Sequence, residues 1–449
     1  MRALAARVRE ADEAPREVVD ALLLRVLDLV GSACAGHRLG TWRALAAALD
    51  TPGTVRPWFG GDPRGVADAL RLHAFMSHAA YMEDGSRSTG GHPSCVATTT
   101  ALTVAAAMGA GPGRPSPKDL VAAIAFGYDV FLRVGERAYP AIVERGFQST
   151  AVLAPLAAAA VCARLLRLDE ERIAHALAIA ASQGAGLKAA LRASASQPLQ
   201  VANGCEAGRV AARIAGDGAR GHPEILAEGF YPAYAGSARE LPEPARPRVL
   251  DTYVKLHGGC RGNHAPLDAF RNLVARHGLG ADAIRSVTVH VDRYTLAADV
   301  ERPRNAEQAQ FSIPYALAVA ATHGETSAFA FTAGRLADEA VRALMARIAV
   351  HHDPALDADY PARRAARVEI ATDAGKFEAR IEHPLGEPEN PVTGGAIVAK
   401  YTELARPVLG GDSGRVADLV LALDRQPSID PLVELLCRSR APGDGLAAR

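Results

Sequence analysis

The sequence is poor in aromatic side chains. Phe, Trp and Tyr together make up 5% of 449 residues, so alanine and aliphatic residues must fill the interior. Alanine-rich helices approach one another closely, which favours a many-helix body over packed sheets. Charge of either sign is not in excess. Lys and Arg number 50 against 50 Asp and Glu, and no basic stripe stands out, which argues against a nucleic-acid partner. Long apolar runs are missing too: Ala151 to Ala163 stops well short of the roughly 20 residues that span a bilayer, so no membrane segment is expected. Met1 to Val18 is studded with charge and has no apolar core, unlike a secretory signal. The cysteines (Cys34, Cys95, Cys162, Cys205, Cys260, Cys437) form no CxxC pair and no metal spacing. They read as reduced thiols, and the protein as soluble and cytoplasmic.

Periodicity predicts a mainly α protein. Val18 to Val30 is apolar around most of its circumference, as in a buried helix. Pro52 to Gly65 reads as a loop, Gly65 to His78 and Cys95 to Met108 as helices. Ser116-Pro117-Lys118-Asp119 supplies a cap, a first-turn proline and an acidic third position, so a helix starts there and runs to about Arg137. An alanine-rich helix to Leu168 and an amphipathic one over Asp169 to Ala181 follow. Gln197-Pro198-Leu199-Gln200 reads as a break before a helix from Asn203 to Ile214. The period then changes. Ser286 to Val291 alternates, and Arg367 to Thr372, Asp373-Ala374-Gly375 and Lys376 to Ile381 read as strand, turn and strand. Helical patterns at Ala265 to Arg276, Ser312 to Ala321 and Arg335 to Ile348 lie among them. Helical pattern returns after Gly394. We expect a large helical domain (1–254 and 393–449) and a smaller α+β lid domain (255–392) inserted before the C-terminal helices.

Chemistry concentrates in the connectors. Tyr81 to Ser94 holds Glu83, Asp84, Ser86, Arg87 and His92 between two helices, a better site candidate than any helix interior. Lys255 to His264 gathers a lysine, an arginine, histidines and a thiol at the expected domain junction, where small-molecule clefts form. Cys260 alone reads more readily as a small buried residue than as a nucleophile.

In these connectors and in several further motifs the chain resembles the MmgE/PrpD family. The motifs are His78 to Ser94 with its His-Pro-Ser ending, Ala125 to Val130, Gly146 to Thr150, Arg167-Leu168-Asp169 ahead of Ala176 to Ala180, Gln197-Pro198-Leu199 leading to Asn203-Gly204, Lys255 with Cys260 and His264, and Phe311 to Tyr315. None is specific alone; their order is. The resemblance implies a helical domain with an α+β lid, a homodimer, no metal or cofactor, and a small-molecule carboxylate substrate. It also implies that His92, Lys255 and Tyr315 lie in the active site with Asp84. Tyr81, Ser86, Gln148, Gln197, Cys260, Arg261 and His264 would then contact substrate.

Departures from the family pattern bear on the substrate. Tyr81 stands where the family has its leading Asp, and Gln148, Gln197 and Gln200 replace two histidines and a lysine. Groups able to carry positive charge have become neutral amides, which disfavours a tricarboxylate. The family's reactions remove a group or proton beside a carboxylate, which needs a base and cations facing the developing charge. On this reading His92 is the principal acid/base, Lys255 the electrostatic anchor, Tyr315 a proton donor or opposite-face acid, and Asp84 an orienting group or second base. A dehydrating or decarboxylating lyase is the first reading. An isomerase or epimerase, and a metabolite-binding relative without catalysis, remain open.

Overall fold

The computed structural model describes residues 1–109, 113–192, 196–358 and 360–438. Helices dominate, joined by one four-stranded mixed sheet. Among the described residues no helix is long and apolar enough to cross a membrane.

Two hydrophobic cores organise the chain. The first joins helices Arg16–Leu39, Ser94–Ala107, Pro117–Ala138, Ser149–Leu165, Glu170–Ala181 and Ser196–Gly216 with the C-terminal helices Gly394–Leu409, Ser413–Leu421 and Asp430–Cys437. Its centre is Ser149–Leu165, buried along nearly its whole length because alanine lines every face. The crossing helix Ser196–Gly216 presents glycine there. A Cβ on Gly208 would lie 2.3 Å from the Pro155 carbonyl oxygen, so only a bare backbone fits. The expected caps form: Ser116 and Asp119 make a reciprocal capping box, and Asp169 caps Glu170–Ala181.

The second core lies between the sheet and helices His264–His277 and Ile313–His323. The strand order is Ile348–His352, Ser286–Val291, Ala366–Thr372, Gly375–Ile381, with the first pair parallel and the others antiparallel. Val287, Val289 and Val291 point into this core, as their alternation requires.

Three local expectations change. The Gln197–Gln200 segment is already helical, because Pro198 sits in the first turn of Ser196–Gly216, where its missing N–H is no loss. Arg335 to Ile348 is two short helices, Ala333–Ala337 and Glu339–Met345, followed by the strand Ile348–His352, whose exposed histidines hide any alternation. Pro52–Val55 forms a short strand inside the expected loop, bridged to Arg64.

Candidate active site

A cavity of about 140 Å³ opens between the two cores. From the helical side come Tyr81, Ser86, Arg87, Gly90, His92, Gln148 and Gln197; from the other come Tyr253, Lys255, Cys260, Arg261, Phe311 and Arg364. Of the residues singled out from sequence, Tyr81, Ser86, His92, Gln148, Gln197, Lys255, Cys260 and Arg261 therefore meet. Asp84, His264 and Tyr315 are not on its wall.

His92 sits just before helix Ser94–Ala107, and its backbone N–H donates to Thr150 Oγ1 at 3.1 Å. Its ring Nδ1 donates to the Asp84 backbone carbonyl at 2.6 Å. That bond fixes the tautomer and leaves Nε2 as the acceptor. Burial, and then the Lys255 charge, push the imidazole down to about 3, so the ring is neutral at rest. The Asp84 carboxylate does not reach His92. It accepts from the Ser94 backbone at 3.2 Å and from the Tyr128 hydroxyl at 2.9 Å, with Arg25 3.8 Å away. Burial raises it to about 6. Asp84 thus orients His92 through its main chain, while its side chain anchors the loop.

Lys255 is buried and donates to the Tyr81 carbonyl at 2.9 Å. Lys400, from helix Gly394–Leu409, donates to the next carbonyl, that of Met82, and pairs with Asp28 at 2.6 Å. Two ammonium groups thus hold consecutive carbonyls of one loop. Burial lowers the pKa of Lys255, with Glu83 opposing. Tyr81 itself has φ +49°, a left-handed conformation that is costly for an aromatic residue and that the lysine contact helps to hold. Gly90, at φ +62°, occupies a place where a Cβ would lie 2.4 Å from the Tyr139 ring.

Among the described residues the cations on the wall are Arg87, Lys188, Lys255, Arg261 and Arg364, and no carboxylate lines it. Arg87 is partnered by Glu387 and Glu389. Arg261 donates through Nε and Nη2 to Glu387 and lies over the Tyr253 ring at 4.5 Å, yet its buried Nη1 has no partner. Gln148 lies at the N-terminus of Ser149–Leu165, where its side chain caps Ala151, and that helix end adds partial positive charge to the wall. The wall thus gathers positive groups from both sides of the cavity. Cys260 also lies on the wall, with its backbone N–H donating to the Gln310 carbonyl at 2.7 Å.

Sequence reasoning missed Lys188 and Arg364 as wall cations, and the pairing of Glu83 with His78 behind the wall. Glu83 hydrogen-bonds His78, and both are fully buried. Burial pushes the Glu83 carboxyl up, but the hydrogen bond from His78 and the Lys255 charge bring it down to about 2. His78 in turn meets Gln197 Nε2 at 3.2 Å, and Gln197 Oε1 accepts from the Tyr81 hydroxyl at 2.6 Å. Helical spacing places His78 inward, but nothing in the order of residues tells that it faces Gln197.

The residues off the wall have other partners. Tyr315 lies in the second core and donates to the Ala330 carbonyl at 2.7 Å. His264 is buried beside His257, and burial keeps it neutral. His78, Glu83 and Cys95 bring possible metal-ligand atoms within 4.8 Å of one another. The chemistry of that set does not fit a cation: the histidine and carboxylate bond each other, and burial holds the Cys95 thiol protonated. A larger cleft of about 780 Å³ lies among Arg7, Asp129, Arg133, Glu243 and Arg248, but these charges pair with one another.

Residues 3–240 match the MmgE/PrpD N-terminal domain and residues 257–425 the MmgE/PrpD C-terminal domain. The chain is 26% identical to a cis-aconitate decarboxylase of Aspergillus terreus, over 96% of this chain and 94% of that protein. It is 29% identical to a 2-methylcitrate dehydratase of Cupriavidus necator, over 57% of each chain. A cis-aconitate decarboxylase-like protein of Aspergillus oryzae is 27% identical over 71% of each.

Proposed function

Because the chain belongs to the MmgE/PrpD family, we propose that it is a lyase acting beside a carboxylate of a small organic acid, with His92 as the base. One observation carries this reading: a neutral imidazole with a free acceptor nitrogen stands on a wall of five cations and no carboxylate. Lys255 and the unpartnered Nη1 of Arg261 receive substrate carboxylate oxygens. His92 Nε2 takes the proton from the carbon beside that carboxylate, and Lys255 faces the enolate charge that develops. In a dehydration the electron pair then forms the double bond, the β-hydroxyl departs, and the proton on His92 leaves with it as water. A bound carboxylate offsets the Lys255 charge and raises the basicity of His92 when substrate is present.

The reading as a lyase follows the relatives named decarboxylase and dehydratase. An epimerase needs an acid/base group on the opposite face of one carbon. Tyr315, the residue expected there, is bonded to Ala330 in the second core, so isomerisation is the weaker reading. The small cavity and the amides at Gln148 and Gln197 favour a dicarboxylate over a tricarboxylate. The proposal includes a cytoplasmic homodimer that needs no metal or cofactor, with the α+β segment 255–392 as a lid domain.

A thermal-shift screen of di- and tricarboxylates, hydroxy acids and unsaturated acids tests the ligand class, since ligand binding raises the melting temperature by mass action. Dicarboxylates should raise it. A rise with tricarboxylates alone would overturn the reading of Gln148 and Gln197.

A further inference from the structure

From behind the cavity wall to its surface, hydrogen bonds run in one direction through four buried side chains, Glu83, His78, Gln197 and Tyr81. The Gln197 amide nitrogen lies 3.2 Å from His78 Nε2 and can only donate, so Nε2 accepts and the ring proton sits on Nδ1, shared with Glu83. With its nitrogen committed to His78, Gln197 turns Oε1 toward Tyr81, whose hydroxyl donates to it at 2.6 Å. The Tyr81 proton is therefore directed away from any ligand. Whatever reaches the phenolic oxygen from the cavity has to donate to it.

We propose that the Glu83–His78–Gln197 chain sets Tyr81 as a hydrogen-bond acceptor toward the cavity, and so selects acids that carry a hydroxyl over their deoxy counterparts. The inference deepens the carboxylate-lyase reading and rests on it for the ligand class. His92 Nε2 is an acceptor on the same wall, so two acceptors stand among the cations. A hydroxy acid satisfies both kinds of group: carboxylates on the cations, hydroxyl on Tyr81. A deoxy acid leaves the phenolic oxygen desolvated and unpaired. Glu83, His78 and Gln197 act through Tyr81 and are positioning residues. Reversal of the chain requires a second proton on His78 Nε2, which would turn the amide and make Tyr81 a donor.

Two measurements test this. In the full-length protein labelled with ¹⁵N-histidine, the ring assigned to His78 by its loss in His78→Gln should show protonated Nδ1 and unprotonated Nε2 at neutral pH. An imidazolium, or the opposite tautomer, overturns the proposal without reference to any ligand. Calorimetry with malate and succinate reads the selection. Wild type should favour malate by about tenfold, the value of one hydrogen bond. The preference should fall near unity in Tyr81→Phe and Gln197→Met, and persist in Gln197→Glu, which can only accept. Equal binding of the two acids to wild type, or an unchanged preference in both Tyr81→Phe and Gln197→Met, overturns it. Should neither acid bind, the ligand class of the lyase reading falls, and the His78 tautomer alone decides the direction of the chain.

Discussion

His92 shows how a residue can be legible in its place but not in its surroundings. The connector composition and the motif pick out His92 and Lys255, and both line the cavity. Asp84 was expected to orient His92 or to act as a second base; its backbone carbonyl holds the His92 ring while its carboxylate turns to Ser94 and Tyr128, a direction that a sequence does not give for a loop side chain. Lys188 and Arg364 escaped notice for a related reason. Each is an unremarkable cation in its own stretch, and only tertiary packing brings the two to the wall beside Arg87. Burial depresses His92 and His73 to about 3 and His37 to about 4. An unfolded histidine titrates near 6.5. Between these values the unfolded chain binds more protons, so the stability these groups contribute is present above about pH 6.5 and is lost as pH falls toward 3. The melting temperature should drop from pH 7 to pH 5. His92→Asn should shrink that drop by its share, on the order of 2 kcal/mol of pH-dependent stability for one such histidine.

Among elements, the alanine-rich pattern around Ser149–Leu165 was readable and predicted close packing. The strand Ile348–His352 was not, because a short strand with polar, exposed positions has no period to detect. Helix approach makes a sharp prediction. At Gly208, alanine would gain about 1 kcal/mol of helix propensity, but its Cβ would lie 2.3 Å from backbone oxygen that cannot move aside. Overpacking costs about 1–3 kcal/mol, so denaturant unfolding of Gly208→Ala should show a net loss of stability. Gly395→Ala is the contrasting case. Its nearest neighbour is 3.7 Å away and the site is exposed, so that variant should gain a few tenths to about 1 kcal/mol.

At the scale of the whole molecule, the site is assembled from distant parts of the chain. Lys400 reaches Asp28 across 372 residues and also holds the Met82 carbonyl, tying both ends of the chain to the site loop. Lys400→Met would leave Asp28 buried without its partner, and should destabilise the protein by about 3–5 kcal/mol in chemical unfolding. The change of period near residue 286 announced a second core, but the place where the cavity opens could only be inferred from a junction. If 255–391 closes over bound acid, hydrogen exchange there should slow with ligand. Unchanged exchange with ligand bound would sink the closing lid.

The most direct test of the central claim is turnover in deuterium oxide, with the acids that raise the melting temperature followed by mass spectrometry. Wild type should convert one of them to a product lighter by water or carbon dioxide, and His92→Asn should lower that rate by at least about a hundredfold, the share general acid–base catalysis commonly supplies. Near-normal turnover by His92→Asn, or solvent label entering recovered substrate with no change of skeleton, would contradict a lyase that works through His92.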